Sequence, residues 1–341
     1  MKAVAYQHSL AISEPLALED IELPVPKASG RQLFVKVAAI AVNPVDTKIR
    51  QRVQPGAGAY KVLGWDAAGE VVEVGDEATL FKVGDKVFYA GALQQPGCNS
   101  EFQLVDERLV GPMPANLSYA QAAALPLTTI TAWELLFERL QIQHNSLQHP
   151  KPVLLVVGAA GGVGSILVQL ARKLSQVTIV ATASRPETQA WVSQLGAHYV
   201  INHQQPLLPQ LQALGIDSVS HVASLTATDQ HYSQLVALLA PQGKLALIDD
   251  PKTPIDIMPL KQKSISLHWE FMFTRSMFNT PDMQAQHQLL SDVSRLLEQG
   301  QLVSTLKQQV GSINAANLKQ AHALLESGKA IGKIVLAGFD R

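Results

Sequence analysis

Three regimes of hydrophobic patterning follow one another along the chain. In the middle regime, unbroken apolar runs alternate with apolar positions at helical spacing. Val153–Val157 is a run of five apolar residues, Gly158 to Gly164 is a glycine-rich turn, and Ile166, Leu167, Leu170 and Ala171 mark one face of a helix. A short, wholly apolar run ending in glycines predicts a buried parallel strand. The alternation continues with a strand at Val177–Ala183, a helix at Glu187–Leu195, a strand at Tyr199–Ile201 and a helix closing at Gln210–Leu214. A strand at Val219–Val222, a helix at Ser233–Leu239 and strands at Lys244–Ile248 and Ile265–Trp269 complete it. Strands separated by helices of this length predict a right-handed parallel sheet, α/β in class, with the strand order 3-2-1-4-5-6.

The flanks read differently. Lys2–Tyr6, Leu33–Ala41, Ala67–Val74 and Lys86–Tyr89 carry β-branched and aromatic residues between Gly, Pro and Asp punctuation, which predicts a small barrel-like domain. Ser118 and Gln121 form a capping box, and Pro126 breaks or kinks the alanine-rich helix that follows. The stretch from Thr128 to Trp133 leads into a second helix, a bridge between domains, and Asn145–Pro152 is a polar loop. Beyond Glu270 the pattern gives a helix at Gln286–Glu298, a strand at Lys307–Val310, a helix at Ala315–Leu325 and a strand at Lys333–Ala337. Asn43-Pro44-Val45-Asp46 interrupts the first flank. Asn43 precedes proline and is therefore extended, leaving its amide to orient a polar ligand; alternatively, Asp46 caps a short helix running to Arg50.

Length and charge narrow the function. A chain of 341 residues predicts two domains. With 47% hydrophobic and 16% charged residues it has the composition of a globular protein with large cores, and a net charge of −1 favours neither nucleic acid nor an anionic membrane. Cys98 is the only cysteine, which excludes an internal disulfide and any multi-cysteine metal site. The start of the chain has no basic-then-apolar leader and no segment approaches about 18 apolar residues, so a cytoplasmic enzyme is expected.

The order strand, glycine turn, helix points to a dinucleotide. Glycines let the backbone approach a pyrophosphate, and the first N–H groups of the helix face its charge. NAD-specific folds place an acid at the end of the second strand to bond the ribose 2′-OH. Here that stretch is Thr182-Ala183-Ser184-Arg185. A hydroxyl and a guanidinium match a 2′-phosphate, which predicts NADPH; alternatively, Arg185 is a solvated loop residue.

Eight segments together carry a family likeness: Asn43–Asp46, Gly64–Gly69, Val83–Val87, Ala124–Pro126, Thr131–Trp133, Gly158–Gly164, Asn202-His203 and Gly332–Val335. On them the chain resembles the medium-chain dehydrogenase/reductase superfamily, in its zinc-free, quinone oxidoreductase-like and ζ-crystallin-like branch. The resemblance implies a six-stranded Rossmann domain, 125–270, inserted in a GroES-like β-rich domain, 1–124 and 271–341. It further implies that Asn43 and Lys48 lie near the nicotinamide and its ribose as donors to the acceptor oxygen. Ala160, Gly161, Gly162, Val163 and Gly164 face the pyrophosphate, and Ser184, Arg185 and His203 surround the adenosine phosphate. Thr131, Ser224, Leu225 and Thr226 approach the nicotinamide half. From the residues alone, His203 is equally a surface histidine at a strand end. Trp65 fills space or stacks on substrate. Phe271 and Phe273, in the aromatic stretch from Trp269 to Phe273, wall an acceptor pocket or are ordinary core.

Zinc-dependent relatives have a Cys at the position of Asn43 and a His-Glu pair at Trp65-Asp66, so the resemblance implies no catalytic zinc here. The expected activity is NADPH-dependent hydride transfer to a quinone or another electron-poor conjugated carbonyl. An enone or 2-alkenal double-bond reductase and a non-catalytic, crystallin-like NADPH-binding protein are the alternatives. A homodimer is implied, joined through an edge strand at Lys244–Ile248 or Ile265–Trp269.

Overall fold

The computed structural model describes residues 1–144 and 151–340; most of the polar loop expected at 145–152 lies outside the described residues. The chain divides into two compact units, one made of Met1–Ile130 and Phe273–Arg341, the other of Thr131–Met272. The first division falls inside the helix Pro126–Trp133, six residues past the 124 that the resemblance implies. Pro126 starts this helix rather than breaking one, because its missing N–H is one that the first turn of a helix leaves unpaired anyway.

The inserted unit is built on β1 (Val153–Val157), β2 (Thr178–Thr182), β3 (Tyr199–Ile201), β4 (Val219–Ser224), β5 (Leu239–Leu247) and β6 (Ser266–Trp269). All pair in parallel, in the order β3-β2-β1-β4-β5-β6, as expected. Helices α1 (Gly162–Leu174), α2 (Pro186–Gln194), α3 (Leu207–Ala213) and α4 (Thr228–Leu238) connect the strands. Leu155, Val180, Val222 and Leu245 are fully buried, as strands covered on both faces require. Of the two candidate edge strands, only β6 is one; β5, which contains Lys244, is flanked by β4 and β6.

The other unit is made from both chain ends. Its longest strand, Gln32–Val42, pairs antiparallel with Ala67–Val74, Phe102–Asp106 and the C-terminal Lys333–Ala337. Lys86–Tyr89, Val110–Pro112 and Leu306–Gly311 extend the sheet, and Lys2–Tyr6, Glu19–Glu22 and Lys61–Val62 form a second, smaller one. Leu33, Val35, Ile40, Val71 and Phe88 fill the core. This is the β-rich domain with an inserted Rossmann unit that the resemblance implies.

Candidate functional site

Within the inserted unit, the residues expected at a dinucleotide gather at the carboxyl ends of β1 to β4. After β1 the chain turns at Gly158, whose φ of +81° is strained for any side chain, and a Cβ there would meet Thr226 Cγ2 at 2.7 Å. Gly161 caps α1. Gly161, Gly162 and Val163 are half-buried, and the first N–H groups of α1 have no carbonyl one turn earlier. Gly164 packs differently: its α-carbon lies against the backbone of Ala159, where a Cβ would come within 2.5 Å. Ala160 is buried beside it.

At the end of β2, Ser184 and Arg185 are half-buried and no acid stands between Thr182 and Pro186. Arg185 caps α2, and its Nε lies 3.4 Å from Glu187 Oε1. β2 and β3 are neighbours, so His203, two residues past β3, belongs to the same edge. His203 sits edge-on to His231 at 6.1 Å, and burial, followed by the His231 charge, lowers its pKa. Past β4, the Leu225 N–H donates to Val157 O, which holds the Ser224–Thr226 turn against the glycine turn. Ser224 is fully buried and its hydroxyl pairs with Thr228 Oγ1 at 2.7 Å. Asp249, past the end of β5, accepts from the Thr228 N–H and hydroxyl; sequence reasoning passed over it because an acid in a polar stretch carries no periodic signal. Thr131 is buried in the helix Pro126–Trp133, and Phe271, expected on an acceptor pocket, is half exposed.

In the other unit, Asn43 caps the helix Pro44–Arg52, and Asp46, at the third helical position, accepts the Asn43 N–H at 2.6 Å. Asn43 rather than Asp46 thus stands at the cap position, with the Asp46 carboxylate reaching back to its N–H. Lys48, one turn into this helix, is half-buried. The free amide expected of Asn43 is absent. Its side chain is 1% exposed, Nδ2 donates to Asp66 Oδ2 at 2.8 Å, and Oδ1 accepts from Lys333 Nζ. Lys333 also donates to Val42 O at 3.0 Å and to Asp66 Oδ2 at 2.8 Å, and Asp66 Oδ1 accepts the Leu127 N–H at 2.7 Å. Sequence reasoning noted Lys333 only as part of a motif. Its one signal was a lysine heading an apolar strand straight after a glycine; Gly332 is left-handed, with no room for a Cβ beside Thr305 O.

Trp65 and Phe273 are both buried. Trp65 is fully buried, donates Nε1–H to Ala92 O at 3.2 Å, and meets the Phe273 ring edge-on at 6.2 Å.

Zinc takes thiolate, imidazole and carboxylate ligands. At the three positions in question this chain has a committed amide, an indole that can only donate, and a carboxylate whose two oxygens already accept three donors. Burial raises the Cys98 thiol well above its ordinary pKa, and its Sγ donates to Asp66 O. The cation in this cluster is the Lys333 ammonium. These residues do not fit a zinc ion, and among the described residues no group of three or more His, Cys, Asp and Glu is arranged to hold a metal.

Burial pushes Asp46 up to about 7; the Asn43 N–H and the Lys333 charge pull it down and the Asp66 charge pushes it up. A carboxyl raised on folding binds its proton more tightly in the native state. Its stabilisation is complete below the ordinary carboxyl range and lost as pH rises through about 7. Between pH 5 and 6.5 this costs roughly 1.4 kcal/mol per pH unit. Asp46→Asn, which keeps an acceptor for the Asn43 N–H, should flatten that slope in melting curves taken across the range.

Comparison with known proteins places these observations in a family. Residues 29–128 match the family model described as alcohol dehydrogenase GroES-like domain, and residues 195–336 the one described as zinc-binding dehydrogenase. A zinc-type alcohol dehydrogenase-like protein of Staphylococcus epidermidis is 38% identical over 98% of this chain and 99% of its own length. The human quinone oxidoreductase is 30% identical over 93% and 92%. The crystal structure of a Rhizobium etli protein, provisionally named a zinc-dependent alcohol dehydrogenase, superposes with a TM-score of 0.96 at 53% identity, covering 100% of this chain and 99% of that one. Escherichia coli quinone oxidoreductase complexed with NADPH shares the fold at 23% identity, TM-score 0.84, over 99% and 100%. The chain belongs to the medium-chain dehydrogenase/reductase superfamily of oxidoreductases, in its quinone oxidoreductase-like branch.

Proposed function

We propose that this protein is an NADPH-dependent reductase that passes hydride to a quinone or another electron-poor conjugated carbonyl without a catalytic metal. The observation that carries the reading is the end of β2, where Ser184 and Arg185 stand in place of an acid. The Escherichia coli relative bound to NADPH and the human protein named quinone oxidoreductase support it. When bound, NADPH supplies the hydride; the chain holds and orients. The first-turn amides of α1, from Gly162 to Gly164, would take the pyrophosphate beside Ala160 and Gly161, and Ser184, Arg185 and His203 would take the 2′-phosphate. Thr131 and the Ser224–Thr226 turn flank the nicotinamide half. With the Asn43 amide committed elsewhere, Lys48 is the donor assigned to the acceptor oxygen. A homodimer joined through β6, which among the described residues pairs with β5 alone, and a cytoplasmic location belong to the same reading. Nucleic acid does not, given the net charge of −1.

The test is steady-state oxidation of NADPH and NADH with a panel of 1,4-quinones and 2-alkenals. Turnover with quinones supports the reading, and faster turnover with alkenals moves the assignment to a double-bond reductase. NADPH binding without oxidation by any acceptor overturns it in favour of a binding protein. Arg185→Ala should weaken NADPH by about 1.5–3 kcal/mol, the range for hydrogen bonds to charged groups, and leave NADH unchanged. Equal NADPH affinity in the variant and the parent would reject the phosphate assignment.

A further inference from the structure

Lys333 and Asp66 are 3% and 0% exposed, and the proposed chemistry gives neither a task. A buried ion pair carries a desolvation penalty that apolar side chains of similar size would avoid, so its presence calls for a reason. The pair is wired to two helix starts. The ammonium bonds Val42 O, Asn43 Oδ1 and Asp66 Oδ2, three acceptors for its three N–H groups. Asn43, held between Lys333 and Asp66, caps the helix Pro44–Arg52, which carries Lys48. Asp66 Oδ1 takes the Leu127 N–H in the first turn of the helix Pro126–Trp133, which carries Thr131. Asn43 and Asp66 are thus both bonded to a side chain from the last strand of the fold.

We propose that Lys333 is a positioning residue whose ammonium, acting through Asn43 and Asp66, sets the helices that carry Lys48 and Thr131. This rests on the reductase reading above. The last strand of the chain therefore reaches the chemistry without touching a substrate. A misset Lys48 slows hydride transfer while leaving cofactor capture to the glycine turn. A displacement of about 1 Å in such a group can cost a hundredfold in rate.

Asp66→Asn/Lys333→Met removes both charges together, and the amide oxygen introduced still accepts the Leu127 N–H. Replacement of a buried pair by neutral groups of similar volume is often tolerated. The double variant should fold and keep the parent KM for NADPH, while kcat with 1,4-benzoquinone falls by about ten- to a hundredfold. In Lys333→Ala, n-propylammonium chloride replaces the missing atoms and should restore kcat, while tetramethylammonium chloride at equal ionic strength should not. A folded double variant with the parent kcat, or rescue by both salts alike, overturns the positioning role. If the double variant does not fold, the rescue decides alone. Wild-type protein that turns over no acceptor overturns the reductase reading and the positioning role with it.

Discussion

Gly161→Ala should leave the fold intact and weaken NADPH about thirtyfold, whereas Gly164→Ala should lower stability by about 3 kcal/mol; the two glycines stand three residues apart in one turn. Gly161 has φ −73° and ψ −178°, extended backbone that any residue adopts. The nearest atom to a Cβ there is Gly158 O at 3.5 Å, an ordinary contact, so the folded protein has room for the methyl group. On the proposed reading, a pyrophosphate held by the amides at the start of α1 would meet that methyl group. At Gly164 the obstacle is the protein itself. The Cα and O of Ala159 lie 2.5 Å from the Cβ position and its C 2.6 Å, and backbone at the end of β1 has no rotamer by which to withdraw. Helix α1 must move off the sheet, at the upper end of the usual cost of overpacking. Thermal melts and NADPH titrations of the two variants separate these causes. Parent affinity in Gly161→Ala would reduce the turn to a plain connection.

The elements that sequence reading placed well carry uninterrupted signals. β1 is five apolar residues closed by glycine, and the helix Ala285–Glu298 repeats its apolar side through Leu289, Leu290, Val293 and Leu297. β5 was read short for a local reason. It opens at Leu239 and then runs through Ala240, Pro241, Gln242 and Gly243, a turn-like string in which Gln242 has φ +64°. The register slips there, from Val219 opposite Leu239 to His221 opposite Lys244, so the bulge absorbs residues that in sequence look like a loop.

The two halves of the candidate site were not equally legible. The end of β2 could be read because the missing acid and the arginine sit at a fixed distance from the glycine turn. The state of Asn43 could not. Its amide is decided by Lys333, 290 residues away along the chain and adjacent only once the last strand pairs with Gln32–Val42. The stretch from Trp269 to Phe273 shows the same limit. Its aromatics read as one group, but Phe273 packs on Trp65 in the core while Phe271 lies half exposed. An apolar side chain announces burial, not which partner covers it.

Asp66→Ala should cost about 3–5 kcal/mol, the usual penalty for stranding a buried charge. Three donors lose their acceptor at once: the Leu127 N–H, the Asn43 amide and the Lys333 ammonium. Burial already pushes the Asp66 carboxyl above its ordinary range, with the Lys333 charge and the Leu127 N–H pulling it back, so the wild-type cluster is a balance of desolvation against pairing. Removing the carboxylate leaves the desolvation of Lys333 without its counter-charge. Asp66→Asn should cost less, because an amide oxygen still accepts one donor, and combining it with Lys333→Met should recover part of the loss. That non-additivity distinguishes a coupled pair from two independent core positions, whose effects would simply sum. Denaturant melts of the parent, Asp66→Asn, Lys333→Met and the double variant measure it. Additive losses would show that the Lys333 charge draws nothing from Asp66, and the buried cross-link would be a contact without a coupling.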